Sequence, residues 1–420
     1  MKRVVITGLG IVVPSGVGVG EFWHNSNAGR SYTHDEPDMV RMGLASHVLG
    51  RVRDFRVEEH LSPDALRDVA DLSRFSHFGV VAGVQAARDA GLPDAALAPE
   101  RAAVICASAI AGTPEFQAMY EEGSRAGTRP VAGLPADSSF YDAVFANFTP
   151  TWLARRFGLR GPCTALTTGC TAGVDALGLG FDLVRHGELD LALTGAAEAP
   201  LCGISYATLD IIGSLARVDC PGPRASRPFD ARRGGFVLSE GAATLALEEY
   251  EHAKRRGARV YAEVIAFASL NNAAHMTDLA PDGASMAHVI RRCLDDAGAD
   301  PASIDYINAH GSSTPQNDLF ETMAFKSVLG EHAYRVPISS TKSMIGHPLS
   351  PASLVGVIAA VGAMETGMVP PTINYEVPDP ECDLDYVPNQ ARHARVRRAL
   401  VTASGFGGIH SSTLLGAVAD

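Results

Sequence analysis

Strand-like runs alternate with helical-period stretches along the whole of this 420-residue chain. That alternation restricts it to α/β layers with covered sheets. Residues 3–8 and 102–107 read as strands. Between them, the spacing over 71–90 predicts a well-buried helix, with Phe75, Phe78, Ala82 and Ala86 on one face and Val81 and Val84 widening it. A short helix is expected over 22–27 and another over 145–157. Strands are expected over 164–168, which reads as buried, and over 189–194 and 242–247. From about Tyr250 the pattern starts again, with helices over 251–257, 283–298, 317–329 and 351–366. Ser350 and Pro351 stand as N-cap and first residue of the last of these. The intervening strands are 261–268, 304–309, 336–340, 398–403 and 411–415. The polar stretch 35–61 reads as surface loop. Residues 112–139, of mixed polarity and little period, read as an insertion lining a partner surface or a substrate tunnel.

The two parts rhyme. Each has a strand ending in a small-residue turn that carries a reactive group, Cys170 in one and His310 in the other. The first of these turns, Leu166-Thr-Thr-Gly-Cys-Thr-Ala-Gly173, joins a strand to a helix on which Val174, Leu177, Phe181 and Val184 share a face. Cys170 is therefore expected near a helix N-terminus, where unpaired N–H groups and the dipole favour a thiolate. Gly169 and Gly173 remove bulk on either side, so an acyl group could approach the backbone. The other reading of Cys170 is a small buried residue, as most free cysteines are.

Charge and cysteine usage exclude several classes. A formal net charge of −12 argues against nucleic-acid binding, which needs a basic field. Seven scattered cysteines without CxxC or Cys/His spacing indicate neither a disulfide framework nor a metal site. Gly8-Leu-Gly10 lacks the third glycine of a dinucleotide fingerprint, Val13 standing there, so dinucleotide binding is rejected. No signal peptide is evident, and the longest apolar run, 354–364, is too short to span a bilayer. The expectation is a protein of the reducing cytoplasm with no membrane partner.

Three further motifs display polar groups where a strand stops: Ile307-Asn-Ala-His-Gly-Ser-Ser-Thr-Pro315, Ser339-Ser-Thr-Lys-Ser-Met-Ile-Gly-His347 and Ala403-Ser-Gly-Phe-Gly-Gly408. Among fourteen histidines a single one is structural by default. Two flanked by glycine at strand ends stand out from that background. With Cys170 these motifs make the chain resemble the β-ketoacyl synthases of the thiolase-like superfamily, over essentially its whole length. The details Ala274-His-Met-Thr277, Tyr306-Ile-Asn-Ala-His310 and Asp379-Pro-Glu-Cys-Asp-Leu-Asp-Tyr-Val-Pro388, and the Thr-Gly-Cys at the nucleophile, resemble most the ketosynthase α subunit of bacterial type II polyketide synthases.

The resemblance implies a thiolase-like fold of duplicated α/β halves in α-β-α-β-α layers. Residues 1–250 carry the nucleophile, and 251–420 the two histidines and the lysine. It implies that Cys170 takes an acyl chain from an acyl carrier protein as a thioester. His310 and His347 then stabilise the enolate left when malonyl loses CO₂, through neutral Nε2–H groups. The backbone N–H groups of Cys170 and Phe406 hold the tetrahedral oxyanion. Lys342 is implied in the site, paired with Glu321. Thr277, Ser312 and Thr314 match positions that hydrogen-bond a phosphopantetheine arm, which brings the substrate; no intrinsic cofactor and no metal are implied. As bare residues, Asp318 and Glu321 read as a solvated or capping pair one helical turn apart. Lys342 reads as a turn lysine, the three hydroxyls as loop hydroxyls, and Phe406 as either a gate or a packing plug.

The implied partner is a Cys-less homologous subunit, the chain length factor. The nearest alternative is a homodimeric ketosynthase of fatty acid synthesis. A thiolase would need a second cysteine in the loop where Gly405-Phe-Gly-Gly408 stands, and a non-catalytic tunnel subunit would not need Cys170 with both histidines. Arg232, Arg233 and the run Lys254-Arg-Arg-Gly-Ala-Arg259 are candidate contacts for an acidic carrier, the run also reading as a solvated helix end. Two departures bear on the pocket. Pro348-Leu-Ser-Pro-Ala-Ser353 replaces a Gly/Ala-rich turn, and Ala274 stands where relatives often carry Tyr.

Overall fold

Among the residues described by this computed structural model, 1–132, 139–217 and 219–418, two halves repeat one strand order. The first half contains β1 (Val4–Val13), β2 (Ala102–Ala107), β3 (Cys163–Leu166), β4 (Leu191–Glu198) and β5 (Gly241–Glu249). The second contains β6 (Ala262–Asn271), β7 (Tyr306–Asn308), β8 (Ile338–Ser339), β9 (Arg398–Gly405) and β10 (Ile409–Gly416). The order β1-β5-β4-β2-β3 is mirrored by β6-β10-β9-β7-β8, and the halves join where β1 pairs antiparallel with β6. Senses match too: β2 is parallel to β3 and β4, as β7 is to β8 and β9, whereas β4–β5 and β9–β10 are antiparallel.

The helices repeat as well: α1 (Arg74–Asp89), α2 (Phe148–Phe157) and α3 (Ala172–Arg185), then α4 (Ala284–Ala297), α5 (Pro315–Leu329) and α6 (Ala352–Thr366). One core packs α3 and α6 between strands of both halves. A second packs α1 and α2 on the outer face of the first half, and a third packs α4 and α5 outside the second. The three helix layers and the two halves of the sheet between them make the five layers. The α6 sequence is apolar on every side because both of its faces are covered. Gly8 and Gly10 serve this packing: a Cβ on either would lie 2.2 and 1.9 Å from the Ala86 and Ala82 carbonyl oxygens of α1. No described helix is long and apolar enough to cross a membrane.

Several expectations change. The 164–168 strand lies at the sheet edge as β3 and is partly exposed rather than buried, because no described strand pairs with its outer side. Residues 35–61 are not simply surface loop. Val48–Gly50 is a buried strand parallel to Leu238–Ser239, and Met39 and Leu49 pack in the cluster around Cys170. Isolated apolar residues without a period carry no signal for this. In 112–139, Thr113–Ser124 is helical, and 133–138 lie outside the described residues. The topology also corrects the rhyme between the halves. Cys170 follows a third strand, so its counterpart is the His347 turn after β8; His310 follows β7 and corresponds to the 108–110 turn after β2.

Candidate active site

Cys170 lies in the turn of helix Gly169–Thr171, which runs into α3, and its thiol is buried. Gly169 has φ 67, the left-handed turn that glycine favours. Gly173 makes room for the other half rather than for an acyl group: a Cβ there would lie 2.5 Å from the Ser350 carbonyl oxygen. Gly173 N–H donates to that oxygen at 3.1 Å, and Val174 N–H to Ser353 Oγ at 2.9 Å. The two helix starts therefore abut, and the turn bearing His347 lies beside the one bearing Cys170. Ser350 does not cap α6; its hydroxyl donates at 2.5 Å to Glu198, a buried carboxyl at the end of β4.

His310 and His347 meet edge to face, ring centroids 5.3 Å apart. Each Nδ1 accepts a backbone N–H, His310 from Ser404 and His347 from Leu349, both at 3.2 Å. The proton of each neutral ring therefore sits on Nε2. Burial, and then the Lys342 charge, hold both histidines well below their ordinary 6.5, so they are neutral at pH 7. Protonating either ring would set an Nδ1–H against a backbone N–H.

Behind the rings, Lys342 Nζ donates to the His310 carbonyl oxygen at 2.5 Å. It does not pair directly with Glu321, as the sequence suggested. Glu321 instead accepts the backbone N–H groups of His310 and Gly311, both at 2.8 Å, and the Thr402 hydroxyl at 2.6 Å. It acts on His310 through the backbone, because those amides reach the carboxylate first. Burial lowers Lys342 to about 8, with Glu321, Cys170 and Asp318 pulling it back up. Asp318 is no solvated partner of Glu321: it is fully buried and accepts Phe229 N–H at 2.8 Å. For Cys170 burial outweighs the Lys342 charge and pushes the thiol up to about 12, so the resting side chain is a thiol and not the expected thiolate.

One cavity of about 380 Å³ is lined by Cys170, His310 and His347, and by Thr277, Ser312, Thr314 and Phe406. Ser312 and Thr314 hydroxyls lie 2.8 Å apart. Phe406 is 38% exposed at the cavity, so its ring is not a plug in the core. The strand end before it reaches Cys170: a Cβ on Gly405 would lie 3.4 Å from Cys170 N. Cys170 also packs in an apolar cluster with Tyr206, Phe236, Leu349 and Ile110, of which Phe236 lines the cavity as well. Lys342 and Glu321 stand behind the cavity wall. Sequence reasoning missed Thr402, Glu198 and the tautomer-fixing amides of Ser404 and Leu349, although Ser404 and Leu349 lay in stretches it quoted, 403–408 and 348–353.

The proposed carrier contacts are corrected. Arg233 is buried and donates to Asp379 at 2.6 Å, so it offers no docking charge. Arg232 is bound to Glu376 and Asp230. In the basic run, Arg256 donates to buried Glu248 and Arg259 to Glu365, so these two brace the fold, whereas Lys254 and Arg255 are exposed.

The depressed histidines link stability to pH. Below about pH 6.5 the unfolded chain binds protons that folded His310 and His347 refuse, so stability rises with pH there and is lost as pH falls. The slope is about 1.4 kcal/mol per pH unit for each histidine. Urea midpoints at about pH 5 and about pH 7 should therefore differ less in a His310→Gln/His347→Gln variant than in wild type. Equal pH dependence would contradict the assignment.

The family models described as "Beta-ketoacyl synthase, N-terminal domain" and "Beta-ketoacyl synthase, C-terminal domain" match residues 1–253 and 261–376. The tetracenomycin polyketide synthase ketoacyl synthase alpha subunit of Streptomyces glaucescens is 44% identical over 418 residues, covering 99% of this chain and 97% of the relative. The ketosynthase solved with a type II polyketide synthase acyl-carrier protein and bound to the hexaketide superposes with a TM-score of 0.92, at 40% identity and full coverage of both chains. The ishigamide ketosynthase/chain length factor superposes at 0.87, with 35% identity and full coverage of both.

Proposed function

The chain belongs to the β-ketoacyl synthase family, and from that premise we propose that it is the condensing subunit of a type II polyketide synthase, in which Cys170 carries the growing chain. The observation that carries the residue assignment is the meeting of Cys170 with two neutral, Nε2-protonated imidazoles on one cavity. We read the two units of the fold as 1–250 and 251–420, on the repeated strand order.

The phosphopantetheine arm of an acyl carrier protein enters along Thr277, Ser312 and Thr314. The Cys170 sulfur attacks the acyl thioester, and the thiol proton is balanced by the proton taken up by the departing pantetheine thiolate. The acyl chain lies against the apolar cluster behind the sulfur. A malonyl carrier then places its thioester oxygen between the two Nε2–H groups. Loss of CO₂ leaves the enolate charge on that oxygen, where two preorganised donors in a buried site stabilise it. Neutral rings suit this role: they donate without carrying a charge that would bind the malonyl carboxylate and hold it back. The enolate carbon attacks the Cys170 thioester, and the Cys170 and Phe406 N–H groups hold the resulting oxyanion. Collapse returns the sulfur and gives a β-ketoacyl chain two carbons longer on the carrier. No intrinsic cofactor takes part.

The partner is a homologous Cys-less subunit, a chain length factor, in the reducing cytoplasm. The open edge of β3 supports this, as do exposed Tyr120, Tyr141 and Phe145 on the segments after β2. Co-expression with such a homologue, followed by native mass measurement and incubation with acyl and malonyl carriers, should give a one-to-one heterodimer that forms the β-ketoacyl carrier. A homodimer that condenses equally well alone would instead place the chain in fatty acid synthesis. No condensation with the partner present would overturn the enzymatic reading.

A further inference from the structure

We propose that Asp175 is a positioning residue that holds the two halves of the oxyanion site in register, an inference that rests on the condensing reading above. Asp175 stands in the first turn of α3, where a negative side chain is favoured by the helix N-terminus. One of its oxygens accepts the hydroxyls on both sides of the nucleophile, Thr168 Oγ1 at 2.5 Å and Thr171 Oγ1 at 2.7 Å. Thr171 Oγ1 also lies 3.0 Å from the Thr168 carbonyl oxygen, so these groups fix the shape of the turn that aims Cys170 N–H.

The other oxygen reaches into the second half and accepts Ser411 Oγ at 2.5 Å. Ser411 lies on β10 opposite Ala403 of β9, and the same ladder runs on to Gly405 opposite Ile409. Phe406 is the next residue. Ser411 Oγ also lies 3.0 Å from Ser269 Oγ of β6, whose hydroxyl can donate to it while Ser411 donates to Asp175, which anchors it in the sheet. A single carboxylate thus spans the turn that supplies one oxyanion donor and the hairpin that supplies the other. Charge-assisted hydrogen bonds of this kind are shorter and about twice as strong as neutral ones. An oxyanion site works only when both donors lie within about 0.5 Å of the productive geometry. Without the carboxylate the two elements, from different halves of the chain, lose this tie.

Asp175 touches neither histidine. His310 is held by Glu321 and Ser404, and His347 by Leu349. Loss of Asp175 should therefore separate two partial reactions. In the complex with its partner subunit, single-turnover acylation of Cys170 from an acyl carrier would be read by intact mass, and CO₂ release from a malonyl carrier measured alongside. For Asp175→Ala the ratio of acylation to decarboxylation should fall by about tenfold or more, part of the 10²–10³ that loss of one oxyanion donor costs. Asp175→Asn should recover part of it, since its remaining oxygen can still accept the threonine hydroxyls and Ser411 can accept from the amide. Ser411→Ala, which cuts only the bridge to the hairpin, should lower the ratio by a smaller factor and decides the matter if the alanine variant does not fold. Parallel loss of both reactions, or an unchanged ratio in Ser411→Ala, would overturn the role. Wild type that takes no acyl group would instead defeat the condensing reading itself.

Discussion

Cys170→Ala should abolish chain extension while CO₂ release from a malonyl carrier continues. The sulfur is the only group in the cavity proposed to hold the acyl chain, and removing a catalytic nucleophile outright costs on the order of 10⁶ in kcat. The enolate, in contrast, forms under the two imidazoles, whose protons are fixed by Ser404 and Leu349 N–H groups that do not depend on Cys170. Losing the side chain to alanine removes little volume from a small-residue turn, so the fold should hold. Product analysis by mass spectrometry and CO₂ measurement check this together. Extension by the alanine variant at a measurable fraction of the wild-type rate would contradict it.

His310→Ala and His347→Ala should each slow malonyl decarboxylation by about 10²–10³, the cost of losing one preorganised donor to a developing oxyanion. Cys170 should still take an acyl group in both, since its oxyanion is held by backbone amides. Exchange by Lys or Arg would not restore the reaction, because a fixed positive charge binds the carboxylate that must leave. The deep burial that keeps both rings neutral also predicts that decarboxylation shows no titration near 6.5. A single-histidine variant decarboxylating at the wild-type rate would exclude that ring from the enolate site.

Much of this was legible in the sequence because strand-to-helix turns leave local marks. Gly169, Gly311 and Gly346, each with positive φ, flank Cys170, His310 and His347 in the chain. The small-residue turns could therefore be seen before anything was known of their meeting. The alternation of strand and helix gave the layers, and the apolar run 354–364 of α6 was visible, though its place between the two halves was not drawn from it. What could not be read was long-range pairing. Glu321 and Lys342 are 21 positions apart, and sequence could not say that amides of His310 and Gly311 would intercept the carboxylate. Asp318 looked solvated because a helical Asp usually is; it is buried because the Phe229 turn brings an N–H to it. Arg232 and Arg233 looked like docking charges, but their acidic partners Glu376 and Asp379 lie more than a hundred positions away. The edge position of β3 depends on which strand lies beside it, and strand composition alone does not give that.

The most direct test of the whole account is the mass of the protein after incubation with an acyl carrier protein and rapid acid quench, with the modified peptide sequenced. The account predicts one acyl group per chain, on the peptide containing Cys170, discharged on addition of a malonyl carrier with release of CO₂. An acyl group on another of the seven free cysteines, or a Cys170 adduct that malonyl carrier leaves untouched, would contradict it.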